Sequence, residues 1–153
     1  MGNYTLEIKA AADAYGLRAE LIAAVIMQES SGIPDARRLE QGFYRRYLLK
    51  PDLPGYFPPD VPRGVELVCR ATSWGLMQIM GQTARELGFR GRYFSELEHP
   101  AANINIGCRL LANLIKRRGG ELQGLLGFNG GADPTCPGKV LAHISSGRIK
   151  KVL

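Results

Sequence analysis

Apolar residues recur at helical spacing over residues 3–15, through Leu6, Ile8, Ala11, Ala12 and Tyr15. That period predicts a first short helix closed by Gly16. A second helix is predicted over Arg18 to Ser30, where Leu21, Val25 and Glu29 stand at i, i+4 and i+8, so that one carboxylate shares the apolar stripe. Gly32 and Pro34 end this helix, and the serine hydroxyls of Ser30 and Ser31 can bind the carbonyls freed there. From residue 33 to 72 the period is lost. Pro34, Pro51, Pro54, Pro58, Pro59 and Pro62 fall in this stretch, which argues against a long helix and for a surface excursion. Its front part, residues 36–47, is aromatic and basic and predicts a strand or short helix, with Phe43, Tyr44 and Tyr47 either stacking on a ligand or pinning the excursion to the core.

Helical spacing returns over Gln82 to Leu87, closed by Gly88, and again over Pro100 to Arg118, where Ile104, Cys108, Leu111 and Ile115 form one stripe. Lys116, Arg117 and Arg118 complement the negative end of that helix, and Gly119-Gly120 stops it. It is expected to be the central buried helix. Glu121 to Phe128 predicts another helix, and Pro137 to Leu153 a terminal one begun by proline and divisible at Gly147. The fold expected is mainly α, a single domain over residues 1–153 with a small irregular or β-containing insertion at 33–72.

Composition narrows the class. With 153 residues, 45% hydrophobic and 22% charged, the chain can bury a continuous core without metals or disulfides. Its longest apolar run, Leu21 to Met27, is too short to span a bilayer. Glu7, Asp13 and Glu20 interrupt the start, which therefore does not read as an export signal. A net charge of +6 and a pI near 9.5 favour an anionic partner. Nucleic acid is disfavoured because the basic clusters, Arg45-Arg46, Lys116 to Arg118 and Arg148 to Lys151, lie on separate segments without interleaved stacking aromatics. Three cysteines without a CxxC pair, and two distant histidines without HExxH, predict no metal site and no cofactor. Cys108 reads as a small core residue, and pairing of Cys69 with Cys108 is left open.

The candidate chemistry begins at Glu29. Burial disfavours a charged carboxylate and raises its pKa toward neutrality, as a proton donor requires; the plainer alternative is a helix-terminal Glu turned to solvent. Five motifs then follow in order: Glu29-Ser30-Ser31, Gly75-Leu76-Met77-Gln78-Ile79-Met80, Thr83-Ala84, Asn103-Ile104-Asn105-Ile106-Gly107 and Phe128-Asn129-Gly130-Gly131. In this order the chain resembles the lytic murein transglycosylases and their relatives the goose-type lysozymes, from about residue 17 to 131.

The resemblance implies a lysozyme-like helical domain that cleaves the β-1,4 bond between N-acetylmuramic acid and N-acetylglucosamine in peptidoglycan, with Glu29 as acid and then base and 1,6-anhydro-muramyl ends as product. It also implies substrate contacts at Gln78, Met80 and Asn129, while Ser73 either orients Glu29 or only turns the chain. Two positions depart from the pattern: Phe128 stands where tyrosine is usual, losing a hydroxyl, and Gly81 replaces a frequent proline. Glu29 and Gly75 also lie further apart than a minimal domain of this kind needs, which marks residues 33–72 as an insertion lining the groove. Within it Glu40 is the candidate second carboxylate. If it faces Glu29, hydrolysis in the manner of a goose-type muramidase competes, because an inverting hydrolase places its two acids about 6.5–9.5 Å apart; otherwise Glu40 is a solvated partner for Arg37, Arg38 or Arg45. A third alternative is a non-catalytic wall-binding module. The expected setting is a monomer acting at the bacterial cell wall, in the periplasm or outside the cell, of phage or mobile-element origin.

Overall fold

A computed structural model describes residues 2–153. The chain forms one mainly α-helical domain with a small three-stranded sheet. Its helices are α1 Thr5–Tyr15, α2 Ala19–Ser30, the single turn α3 Gln41–Phe43 running into a π-helical turn at Tyr44–Leu48, α4 Arg63–Arg70, α5 Gly81–Glu86, α6 Pro100–Arg118, α7 Glu121–Phe128 and α8 Cys136–Ser145. Short 3-10 turns occupy Phe94–Glu98 and Arg148–Lys151.

The central buried helix is α2 and not α6. Every residue from Leu21 to Met27 is buried, because α1, α8 and the terminal 3-10 turn pack round this helix and leave it no solvent face. Helix α6 buries one stripe only, Asn103, Ile104, Gly107, Cys108, Leu111 and Leu114, and keeps its opposite side in water. Its long, evenly spaced apolar pattern is that of an amphipathic surface helix.

Segment 33–72 is more ordered than its prolines imply. Strand β1, Arg37–Leu39, pairs antiparallel with β2, Thr72–Trp74, which pairs in turn with β3, Ile79–Met80. Helix α4 follows the last proline, Pro62, which stands at its N-cap. The reason no apolar period announced α4 is that its buried face carries an ion pair. Glu66 and Arg70 are both fully buried beside Leu67, and Glu66 Oε1 accepts hydrogen bonds from Arg70 Nε at 2.9 Å and Arg85 Nε at 2.8 Å. Arg85 Nη1 continues to the carbonyls of Phe89 and Gly91, and Arg70 reaches the Tyr56 carbonyl and Gln82. The knot ties the segment to α5 and the turn beyond it. Leu48, Leu67 and Ala71 form a second small core with Phe43, Tyr44, Leu53 and Phe57 around them, so Phe43 and Tyr44 pin the segment while Tyr47 stays exposed.

The terminal helix is shorter than its pattern, ending at Ser145 before Gly147 turns the chain into the last 3-10 turn. Cys69, Cys108 and Cys136 are free thiols. Burial pushes the Cys108 thiol up to about 12, which fits a core residue.

Candidate active site

The end of α2 is stapled to the turn between β2 and β3. Ser30 Oγ donates to the Leu76 carbonyl at 2.7 Å and to the Ile26 carbonyl at 3.2 Å, and Ser31, in left-handed backbone, returns its N–H to Met27. Glu29 is thereby fixed on the last turn of a helix that cannot shift. The β2–β3 turn is held from its other side by Asn103 of α6. The Asn103 amide accepts from the Met77 N–H and donates to the Trp74 and Leu97 carbonyls, each at 2.8 Å.

Two glycines make this approach possible. Gly75 has φ +70°, and a Cβ there would stand 2.4 Å from Asn103 Nδ2. A Cβ on Gly107 would stand 2.4 Å from Met77 Sδ. Leu76, Met77 and Ile79 are core residues.

Sheet register then sets one face. Ser73 is paired with Arg38 on one side and with Met80 on the other, so these three side chains form a row across the strands. The row lines a cleft of about 390 Å³. All seven residues singled out in the sequence, Glu29, Glu40, Ser73, Gln78, Met80, Phe128 and Asn129, line the same cleft.

Their chemistry differs in detail from what the sequence implies. Glu29 is half-buried at the cleft wall, with no hydrogen bond to its carboxylate among the described residues. Burial raises its pKa above the usual carboxylate range, and the Arg38 guanidinium opposes that rise. Glu40 faces the cleft but is paired: Arg38 Nε donates to its Oε1 at 2.6 Å. Glu40 thus lines the cleft and is arginine-bound at once, where the sequence offered the two as alternatives.

Gln78 Nε2 donates to the Ala36 and Gly75 carbonyls at 3.0 and 2.9 Å, which commits its hydrogens and leaves Oε1 as an acceptor only. A sugar N–H or hydroxyl can bond to it, but an N-acetyl carbonyl cannot. Asn129 spans its own loop, donating to the Asp133 carbonyl and accepting from the Gly131 N–H, both at 2.9 Å. Its first task is to shape the wall opposite β2. Phe128 lies half-buried against the main core, and Ser73 makes no side-chain hydrogen bond among the described residues.

Arg38 also lines the cleft, where the sequence offered it only as a partner for Glu40. A signal existed, because Arg38 and Glu40 are two apart in a segment read as a possible strand, and such a spacing places both on one face. Among the described residues no group of three or more His, Cys, Asp or Glu side chains is arranged to hold a metal ion, and no helix is long and apolar enough to cross a membrane.

A model of the family described as Transglycosylase SLT domain matches residues 7–137. No curated protein and no solved structure matches the chain.

Proposed function

Because the chain belongs to the Transglycosylase SLT domain family, whose members are peptidoglycan lytic transglycosylases, we propose that Glu29 is its single acid–base catalyst and that its products carry 1,6-anhydro-muramyl ends. The observation that carries this reading is the contrast between the two carboxylates in one cleft. Glu29 is desolvated, without a hydrogen-bond partner and inclined to hold a proton, while Glu40 is neutralised by Arg38.

Glu29 gives its proton to the glycosidic oxygen as the bond to the muramyl anomeric carbon breaks, and an oxocarbenium-like centre develops. The 6-hydroxyl of the same sugar then attacks that carbon and passes its proton to the Glu29 carboxylate, which restores the acid. No water is consumed, so no second carboxylate is required. The row Arg38, Ser73 and Met80 supplies one wall for the sugar, Gln78 Oε1 accepts a hydrogen bond from it, and Phe128 offers a ring without a hydroxyl. Segment 33–72 contributes to the groove through Arg38 and Glu40.

A goose-type muramidase is the second reading, and the observation in its favour is that Glu40 does face the cleft. Mass spectrometry of soluble muropeptides released from purified walls separates the two. Anhydro ends released by the wild type and absent with Glu29→Gln support the proposal. Reducing ends that have gained water move the second role to Glu40, and binding to walls without release overturns catalysis altogether.

A further inference from the structure

Helices α2 and α8 and the terminal 3-10 turn border a second, open concavity of about 370 Å³. It is lined by Gln28, Lys139, Ala142, His143, Ser146 and Arg148. Gln28 precedes Glu29 on α2, and Lys139 is bonded to Asp133, whose carbonyl holds Asn129 of the cleft wall. The two cavities are thus connected through the end of α2 and the 129–133 loop.

No acidic residue lines this second cavity. The Lys139 charge is taken up by Asp133 at 2.7 Å, but Arg148 has no carboxylate partner among the described residues. His143 places Nε2 3.2 Å from Gln28 Oε1, and with Nε2–H donating to that oxygen Nδ1 can gain a proton and become a second donor. The charged groups about His143 are Lys139 on its own helix, paired with Asp133, and Arg148 on the terminal turn, while α2 contributes only the neutral Gln28 to this side. The result is a site with one uncompensated cation, the guanidinium fork of Arg148, beside a switchable imidazole and with room for more than a single ion.

We propose that this cavity binds an oxyanion of the wall, a carboxylate or phosphate group, beside the cleft that takes the glycan. The naming of a wall polymer as its source rests on the peptidoglycan reading; the site itself does not. Free of ligand, the imidazole is held below its ordinary pKa by burial and by Arg148. A bound oxyanion reverses that balance, so affinity rises as pH falls through the His143 titration.

The chain has only two histidines, and the exposed His99 serves as an internal control. The experiment follows both imidazole proton resonances of the full chain, carrying Glu29→Gln to prevent turnover, between about pH 5 and 8. Three additions are compared: a muramyl peptide with free stem carboxylates, the same peptide with those carboxylates amidated, and a glycerol phosphate oligomer.

The expected result is an upward displacement of the His143 titration by about one pH unit, as an opposite charge in contact produces. It arises with the free carboxylates or with the phosphate oligomer, whichever is the source, and is absent with the amidated peptide and in Arg148→Gln. Arg148 is exposed, so that variant keeps the fold. No displacement by either anion, equal displacement at His99, displacement by the amidated peptide, or persistence in Arg148→Gln overturns the proposal. Because the readout needs no cleavage, failure of the catalytic reading leaves this result interpretable by itself.

Discussion

Replacing Asn103 by alanine removes the side chain that hydrogen-bonds α6 to the β2–β3 turn. Its amide is fully buried and makes three hydrogen bonds of 2.8 Å, one accepted from the Met77 N–H and two donated to the Trp74 and Leu97 carbonyls. At about 1 kcal/mol each these contribute roughly 3 kcal/mol. The truncation also strands a buried N–H, the more costly orphan, which brings the expected loss to roughly 3–5 kcal/mol. For a domain of this size that lowers Tm by roughly 6–20 °C. Denaturant unfolding followed by circular dichroism measures the loss, with an unchanged m-value showing that the denatured state is the same. Asn103→Asp provides a sharper form of the same test. It keeps the acceptor for Met77 but faces two carbonyls with a buried carboxylate, so at neutral pH it is destabilised at least as much as the alanine variant. A loss below about 1 kcal/mol for alanine, or an aspartate variant close to wild type, would refute the assignment of Asn103 as the anchor of the turn.

Three further outcomes are expected. Glu66→Ala leaves the fully buried guanidinium groups of Arg70 and Arg85 without their shared carboxylate and is expected to cost roughly 3–5 kcal/mol, read by thermal unfolding; a loss within the scatter of surface substitutions removes the knot from the account of segment 33–72. Arg38→Gln withdraws the cation that opposes the raised Glu29 pKa and frees the Glu40 charge, and both effects favour the protonated acid. The alkaline fall of wall-clearing activity therefore moves to higher pH, by less than about one unit because Arg38 is exposed and screened, and a fixed or lowered limb contradicts this. Glu29→Gln is expected to be more stable than the wild type near neutrality. The folded pKa of Glu29 lies above its unfolded value, so the native protein binds the extra proton between the two, and wild-type stability falls as pH rises through that window. The gain of the variant should vanish below the unfolded carboxylate pKa; a gain that persists in acid points to packing instead of charge.

Local signals made some elements legible to the residue. Pro100 at the start and Gly119 after the end delimit α6, and Gly120 and Asn129 bracket α7, because proline, glycine and asparagine act on the backbone next to them. Helix α4 escaped because its buried face carries the charges of Glu66 and Arg70, and their burial is made tolerable by Arg85, fifteen residues beyond the helix, which no periodicity reports. For Glu40 the partner is near in sequence and the i,i+2 spacing favours Arg38, but that both face the cleft depends on the strand register that puts Arg38 opposite Ser73. Gln78 shows the limit at a single residue. The sequence places an amide in the turn, but φ +47° and two backbone carbonyls decide that only its oxygen faces outward.

The motifs that mark the family accordingly divide by task. Ser30, Gly75, Asn103, Gly107 and Asn129 spend their side chains, or their lack of one, on holding the end of α2, the β2–β3 turn and the 129–133 loop together. Glu29, Ser73, Met80 and Phe128 face the cleft that this frame creates. Most of the motif is therefore a statement about geometry, and a chain can satisfy it while changing its cleft surface one residue at a time. Phe128 is such a change: it stays packed against the core and alters only the surface it presents to the cleft, which is why the motif fixes the position of Glu29 more firmly than it fixes the chemistry proposed for it.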